Sequence, residues 1–165
     1  RGAHSWYPVC RGSLDDVIGL VSVARLLELG ADHGGTVDAV AQPAAFMPET
    51  LSGMELIDQF RTTAARMVFV VDEYGVVQGL LTPHDLLDGL MPVGELKARL
   101  DIDVLLPGED RGRYNTLAGL LMAVCGHLPV LGESVMCAHW RFEVTALEGR
   151  RIDKVLAKRD DSAQG

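Results

Sequence analysis

The stretch Gly79–Leu87, GLLTPHDLL, places a hydroxyl and a carboxylate three residues apart, at Thr82 and Asp85. Thr at an N-cap, Pro at the first helical position and Asp in the first turn form a favourable helix start, with a cap worth about 1 kcal/mol. The free N–H groups of such a helix end also suit a phosphate, and the carboxylate could accept hydrogen bonds from both ribose hydroxyls. The two interpretations, helix cap and ligand site, are compatible, and the residues alone leave both open.

The other residues that could do chemistry form no catalytic or metal-binding pattern. The five His residues are dispersed without HxxxH or HExxH spacing, and Ser13 and Ser22 lack a Gly-x-Ser-x-Gly context. Acidic pairs such as Asp101 and Asp103 are explained by turns and surface positions. Three Cys residues without CxxC spacing favour reduced thiols over a disulfide framework or a zinc site. We therefore expect neither an enzyme nor a metal centre.

Composition narrows the class of protein further. A chain of 165 residues with 48% hydrophobic residues is large enough to fold around a core. Its net charge of −8 and scattered basic residues argue against binding a nucleic-acid backbone. The longest uncharged apolar stretch, Leu117–Cys125, is about half of the roughly 20 residues that span a bilayer. Because the chain begins at Arg1 without a Met or a signal peptide, we expect a soluble fragment of a longer protein.

An internal repeat organises the first half of the chain. Val17–Leu27 (VIGLVSVARLL) and Val77–Leu87 (VQGLLTPHDLL) align without gaps, 60 residues apart, and five of eleven positions are identical. Upstream, Tyr7-Pro8-Val9 lies opposite Met67-Val68-Phe69. Fixed-period similarity predicts two copies of one supersecondary unit.

The second copy shows the plan of this unit. Ser52 and Glu55 form a capping box that opens a helix, and Asp72–Gly75 supplies a turn between two strands. The predicted order is β-α-β-β-α: strand 45–47, helix from Ser52 with Met54, Ile57 and Phe60 on its apolar face, strands 67–71 and 76–81, and a second helix that begins at 83–87. The first copy keeps only the last three of these elements.

The remainder predicts a small α+β module. Leu96 and Leu100 indicate one short helix, and Asn115 or Thr116 caps another that runs to Cys125. Three strands follow, at 135–138, 141–147 and 151–158. The second strand alternates apolar and polar residues, which predicts one buried face and one solvent face, with Thr145 on the latter.

These residues resemble a known family. A tandem β-α-β-β-α unit with Gly-x-x-Thr/Ser after its last strand resembles a CBS (cystathionine-β-synthase-type) domain pair. HSWYPV, MVFVVDEYGVVQGLLTPHDLL and RYNTLAGLLM are similar to the CorC/HlyC membrane proteins, often labelled hemolysins or magnesium and cobalt transporters. The resemblance implies an α+β fold with a truncated first CBS unit (1–42), a second CBS unit (43–91) and a transporter-associated domain (92–165). The family's acidic segment after the second CBS helix is missing, and we expect residues to have been omitted near Leu87–Leu90.

The resemblance also implies a ligand. CBS pairs bind adenine nucleotides at a Thr-x-x-Asp motif, which falls on Thr82 and Asp85, so AMP, ADP or ATP, with or without Mg²⁺, is the expected ligand. Cleft walls would come from Tyr7, Pro8, Met67 and Val68, each of which could equally be core. In the first copy Arg25 replaces the carboxylate, which predicts a site that binds no ribose. The last module resembles part of FAD-binding domains, but without a Gly-rich phosphate loop we do not expect FAD.

The resemblance implies a function in membrane transport. The expected protein is the regulatory region of a bacterial integral membrane ion transporter, at the cytoplasmic face of the inner membrane. A membrane domain upstream of Arg1 and a homodimer formed through the CBS helices are expected as partners. The alternative is a structural interaction module with empty clefts, and a flavoprotein is a weaker third possibility.

Overall fold

The computed structural model describes residues 5–30 and 34–160. Parts of the predicted first unit (1–4 and 31–33) and the end of the last domain (161–165) lie outside the described residues. The strands are β1 Trp6–Cys10, β2 Val17–Ser22, β3 Ala45–Pro48, β4 Val68–Val71, β5 Val77–Leu81, β6 Leu86–Asp88, β7 Ser134–Cys137, β8 Trp140–Glu148 and β9 Arg151–Arg159. The α-helices are α1 Val23–Leu29, α2 Gly53–Thr63, α3 Val93–Leu100 and α4 Leu117–Cys125.

Two compact units divide the chain. Unit 1 comprises Arg1–Leu51 and Phe60–Thr82, and unit 2 comprises Ser52–Gln59 and Pro83–Gly165. Helix α2 therefore contributes its first half to unit 2 and its last residues to unit 1. The mixture of helices with mainly antiparallel sheets confirms the predicted α+β class.

Unit 1 contains the repeated strands. In the first copy β1 and β2 form an antiparallel hairpin, and in the second β3 lies parallel to β4, which pairs antiparallel with β5. The predicted turn between β4 and β5 is confirmed: the Asp72 carboxylate accepts hydrogen bonds from the N–H groups of Tyr74 and Val76, each at 2.9 Å. Gly75 has a φ of 81°, which its missing Cβ permits.

A small apolar core joins the two copies. Leu20 of β2, Phe69 of β4 and Met67, which directly precedes β4, are buried together, with Trp6 and Val77 packed at their edge. Residues from both copies thus share one hydrophobic cluster. This sharing explains why the first copy folds although it has only three of the unit's five elements.

The predicted helix at Pro83–Leu87 is wrong. Pro83–Asp85 forms a single 3₁₀ turn, and the chain then enters β6, where Leu87 pairs with Val155 of β9. Leu87 has no exposed surface in the core of unit 2. Burying a Leu contributes about 1.5–3 kcal/mol, whereas helix propensities of ordinary residues differ by less than about 0.7 kcal/mol, so tertiary packing prevails.

Unit 2 is a four-stranded sheet in the order β6-β9-β8-β7, with every neighbouring pair antiparallel. Helices α3 and α4 pack on one face, and the predicted helices are both confirmed. Thr116 caps α4 by accepting a hydrogen bond from the N–H of Gly119 at 3.3 Å, and Gly126 ends it with a φ of 80°. The core contains buried residues from both helices and from all four strands, among them Leu87, Leu96, Leu117, Leu120, Leu121, Val135, Phe142, Val144, Ile152 and Val155.

Helix α2 shows one prediction confirmed and one wrong. The capping box forms as predicted, since the Glu55 carboxylate accepts hydrogen bonds from the Ser52 N–H at 2.9 Å and from its hydroxyl at 2.8 Å. The predicted apolar face is wrong at Met54, which is 47% exposed, while Leu56 and Ile57 are buried. The buried face of the helix is therefore centred on Leu56 and Ile57 and does not include Met54.

The predicted solvent face of β8 is also wrong. Thr145 is 2% exposed, although polar residues alternate with apolar ones along the strand. The reason is that α2 lies over this face: the Gly53 N–H donates to the Glu143 carboxylate at 3.0 Å. Alternation along β8 could not reveal this second cover, because it comes from a helix about 90 residues earlier in the chain.

Candidate functional site

The predicted ligand pair lies at the end of β5. Thr82 directly follows the strand, and Asp85 is the last residue of the 3₁₀ turn; both side chains are partly buried. The division between the two units falls between Thr82 and Pro83. Since no α-helix begins here, the pair has no helix dipole to offer a phosphate, and its binding role stays a prediction.

The equivalent stretch of the first copy has the helix that the second lacks. Ser22 caps α1, its hydroxyl accepting a hydrogen bond from the Arg25 N–H at 3.1 Å. The Arg25 guanidinium, in turn, pairs with Glu28 at 2.9 Å on an exposed helix surface. At this position the first copy therefore offers a capped helix start with a cation and no carboxylate.

The predicted wall residues differ in exposure. Tyr7 on β1 is 46% exposed and Pro8 is partly buried, so both have surface that a ligand could contact. Met67 and Val68 are buried, and Val68 has no exposed surface at all. Their structural role in the core is therefore evident, whereas a binding role for any of the four remains a prediction.

One cation beside the candidate site was missed in the sequence. The Arg99 guanidinium at the end of α3 donates to the backbone carbonyl of His84 at 3.0 Å and lies 3.4 Å from its Nδ1. His84 is the residue that precedes Asp85, so a fixed positive charge lies next to the turn. Nothing in the local sequence could indicate this contact, because 15 residues separate the partners.

A second feature that the sequence did not indicate is a cavity of about 220 Å³ in unit 2. Asp101, Asp103, His139, Trp140 and Arg159 are among its lining residues. They come from the end of α3, the β7–β8 turn and the end of β9. Across residues 5–30 and 34–160, no group of three or more His, Cys, Asp or Glu side chains is arranged to hold a metal ion.

Local hydrogen bonds tune several carboxyl groups of unit 2. The Leu106 N–H and then the Lys97 ammonium hold the pKa of Glu109 below its usual 4.5, with Lys97 Nζ 3.1 Å from the carboxylate. Burial raises the pKa of the Cys137 thiol, which makes this residue a poor nucleophile. These groups stabilise or fill the fold and lie outside the turn that holds Asp85.

The fold and the repeat define the class of the chain: a CBS-type sheet unit joined to a helix-covered antiparallel module. Residues 37–92 match the family model for the CBS domain, and residues 84–161 match the CorC_HlyC family, described as "Transporter associated domain". The chain therefore belongs to the family of proteins that join a CBS domain to a CorC/HlyC transporter-associated domain. The two matches overlap at 84–92, the segment that contains β6. The boundaries predicted at 42/43 and 91/92 stay predictions.

Known relatives match nearly all of the chain. It is 32% identical to the UPF0053 inner membrane protein YoaE of Escherichia coli over 187 positions, covering 97% of this chain and 35% of that protein. It is 27% identical to the polyamine export protein of Haemophilus influenzae, covering 94% of this chain and 42% of that protein. The chain thus spans well under half of these relatives. Because the first alignment has more positions than this chain has residues, that relative carries residues without a counterpart here.

One solved structure is similar to about half of the chain. The CBS domain of a bacterial CNNM/CorC family Mg²⁺ transporter, in complex with ATP, is 32% identical and covers 49% of this chain and 59% of that chain, with a TM-score of 0.46. ATP is the ligand of that protein. As for membrane crossing, none of the helices in the described ranges combines the length and the apolarity that a span needs.

Proposed function

We propose that this chain is the regulatory, non-catalytic region of a bacterial integral membrane transport protein, and that its CBS part senses an adenine nucleotide. The relative named as an inner membrane protein is about three times as long as this chain's match to it, which supports a membrane domain elsewhere in the polypeptide. A membrane domain upstream of Arg1 and a position at the cytoplasmic face of the inner membrane are part of this proposal.

The pairing of Thr82 with Asp85 carries the nucleotide proposal. Both lie within the matched CBS domain, Thr82 directly after β5 and Asp85 in the 3₁₀ turn that follows, and both side chains are partly buried. A hydroxyl can donate to a phosphate, and a carboxylate can accept from ribose hydroxyls. Within unit 2, the Arg99 guanidinium lies beside His84, next to Asp85, and brings a positive charge to the 3₁₀ turn.

The mechanism would be a population shift. A nucleotide that binds one arrangement of the CBS part more tightly than another raises the population of that arrangement. The effect cannot exceed the difference in affinity between the two arrangements, so a modest affinity difference of tenfold corresponds to about 1.4 kcal/mol. Mg²⁺ would act with the phosphates of the nucleotide.

A homodimer is the proposed assembly. In the first copy α1 has no buried residues, and Leu27 is 75% exposed, so an apolar surface is open for a second CBS helix. The cargo of the whole protein is proposed to be an ion such as Mg²⁺ or Co²⁺. One relative is named for polyamine export, which makes polyamines the competing cargo to include in any transport assay.

An interaction module with empty clefts is the second candidate. It is favoured by one observation: β5 leads into a 3₁₀ turn of three residues and not into a helix, so the phosphate-binding helix end is absent from the second copy. This module would dimerise and transmit force without binding a nucleotide. A flavoprotein would give a yellow preparation, and a colourless one would count against it.

Titration calorimetry with AMP, ADP and ATP, with and without Mg²⁺, tests the proposal. We expect heat with at least one nucleotide and a loss of at least tenfold in affinity for the double variant Thr82→Ala/Asp85→Ala. Ser22→Ala/Arg25→Ala is the matched control from the first copy and should leave the affinity unchanged. No heat with any nucleotide would support the interaction module, and unchanged affinity in the first double variant would show that the site lies elsewhere.

A further inference from the structure

The sheet of unit 2 is covered on both faces. Helices α3 and α4 cover the face that carries Phe142 and Val144. On the opposite face, Glu143 of β8 is the cross-strand partner of Leu156 of β9, and Leu156 pairs in turn with Leu86 of β6. Leu156 is 1% exposed although it lies outside the cluster on the first face. A second cover must therefore exclude water from this outer face.

The first half of α2 provides that cover. Its residues 52–59 belong to unit 2, and Leu56 and Ile57 are buried. At Gly53 the backbone approaches β8 so closely that an added Cβ would lie 2.2 Å from Thr145 Cγ2. An alanine at this position would force Thr145 or the helix to shift, because real Cβ atoms essentially never approach another heavy atom to that distance.

The contact pairs a carboxylate of the sheet with the N-terminal end of the helix. The N–H groups at the start of a helix carry partial positive charge, and a carboxylate there is stabilising. Glu143 reaches the N–H of Gly53 at 3.0 Å across the contact, in addition to the helix's own capping residue Glu55. Thr145, by contrast, buries a hydroxyl for which the described residues offer no hydrogen-bond partner. An unpaired buried hydroxyl opposes docking, so the contact combines a favourable and an unfavourable polar group.

We propose that the outer face of β8 and β9 is a docking surface for helix α2, and that docking through Glu143 is reversible. Helix α2 belongs to the matched CBS domain, and β8 and β9 belong to the matched transporter-associated domain. Docking would therefore be the contact by which a CBS segment sets the state of the transporter-associated domain. The regulatory meaning of docking rests on the proposed nucleotide sensing, whereas the docking itself does not.

Hydrogen exchange on the full chain tests the docking. Glu143→Ala should raise the exchange rate of the amides at residues 53–57 by about tenfold, because a hydrogen bond to a charged group is lost. Glu143→Gln keeps a carbonyl acceptor and should give a smaller increase. Glu148→Ala, on the same strand but exposed and paired with Arg151, is the matched control and should change nothing in α2. Equal protection in wild type and Glu143→Ala would overturn the proposal.

A compensating pair guards against a variant that merely unfolds. Gly53→Ala should release α2, and Thr145→Ser, which removes Cγ2, should restore its protection in the double variant. Gly94→Ala is the control, since nothing lies within 4 Å of an added Cβ there. Failure of Thr145→Ser to restore any protection would contradict the contact.

Adding AMP or ATP to the wild type separates the two proposals. A change in the exchange of residues 53–57 on binding would support the regulatory role of docking. Nucleotide binding with no such change would overturn that role while leaving the nucleotide site intact. Absence of nucleotide binding, together with the expected Glu143→Ala result, would overturn sensing and retain the docking surface.

Discussion

The two stretches Gly19–Leu27 and Gly79–Leu87 have the same pattern of strand, hydroxyl and paired leucines but continue differently. The first leads into helix α1 behind a Ser22 cap, and the second leads through a 3₁₀ turn into strand β6. The two stretches differ in the surroundings of their second leucine. Leu27 points to solvent at 75% exposure, whereas Leu87 is fully buried against β9. A repeated pattern therefore fixes local preference only until a neighbouring sheet competes for the same residues.

The largest expected difference is at the aligned leucines. Leu87→Ala should lower the free energy of unfolding by about 2–5 kcal/mol, since it leaves a cavity in a closed core. Leu27→Ala, the matched variant, should change it by less than about 0.5 kcal/mol when it is measured at a protein concentration at which the proposed homodimer has dissociated. Urea unfolding followed by circular dichroism measures both. Equal costs would mean that the second stretch is also an exposed helix and that β6 does not exist.

The next largest difference in unfolding free energy is expected between alanine variants of the aligned glycines, Gly19 and Gly79. A Cβ added at Gly19 would lie 2.4 Å from the carbonyl oxygen of Gln42. A Cβ added at Gly79 would have no other heavy atom within 4 Å. Gly19→Ala should therefore lose about 1–3 kcal/mol of unfolding free energy through overpacking. Gly79→Ala should be tolerated. If Gly19→Ala unfolds at the wild-type urea midpoint, the bridge between Leu20 and Gln42 is not formed in solution.

Removing the hydroxyl of Ser22 should cost about 1 kcal/mol more helix stability than removing the hydroxyl of Thr82. Ser22→Ala removes the cap of α1 and should raise amide exchange of Arg25 and its neighbours by roughly fivefold. Thr82→Ala should not change helix content, because no α-helix follows Thr82. Exchange mass spectrometry and far-ultraviolet circular dichroism distinguish the two. A loss of helix signal in Thr82→Ala would contradict the 3₁₀ turn.

The smallest effect concerns the acids after each stretch. The Leu90 N–H and then Lys154 hold the pKa of Asp88 below its usual 3.8. A lowered folded-state pKa contributes stability that is present above the usual value and lost as pH falls through the folded value. Asp88→Asn should therefore flatten the pH dependence of unfolding below about pH 4. A pH dependence of unfolding in Asp88→Asn equal to that of the wild type would refute the assignment.

Much of the fold could be predicted from the sequence, because its signals are local. The capping box at Ser52, the turn at Asp72–Gly75 and the cap at Thr116 each consist of residues that contact one another within a few positions. Period-two alternation located β8. Local patterns could not predict that Leu86 and Leu87 form a strand and not a helix. That outcome depends on pairing with β9, about 70 positions later in the chain.

The candidate site was predictable only in part, for the same reason. The repeat and the family motif predict Thr82 and Asp85 as the ligand pair; both side chains are partly buried, and their binding role stays a prediction. Arg99 reaches the turn from helix α3, and α2 buries Thr145 from outside the sheet; both contacts depend on tertiary packing. The helix end on which a phosphate site was predicted does not form. The binding prediction therefore rests on Asp85 and the residues around it.

One substitution tests that claim most directly, by giving the second copy the cation that the first copy has at Arg25. Calorimetric titration of Asp85→Arg with AMP should show at least a tenfold loss of affinity relative to wild type, because the ribose loses its acceptor, while circular dichroism stays unchanged. Affinity that is retained or increased would contradict ribose recognition by Asp85 and leave phosphate charge as the sole determinant.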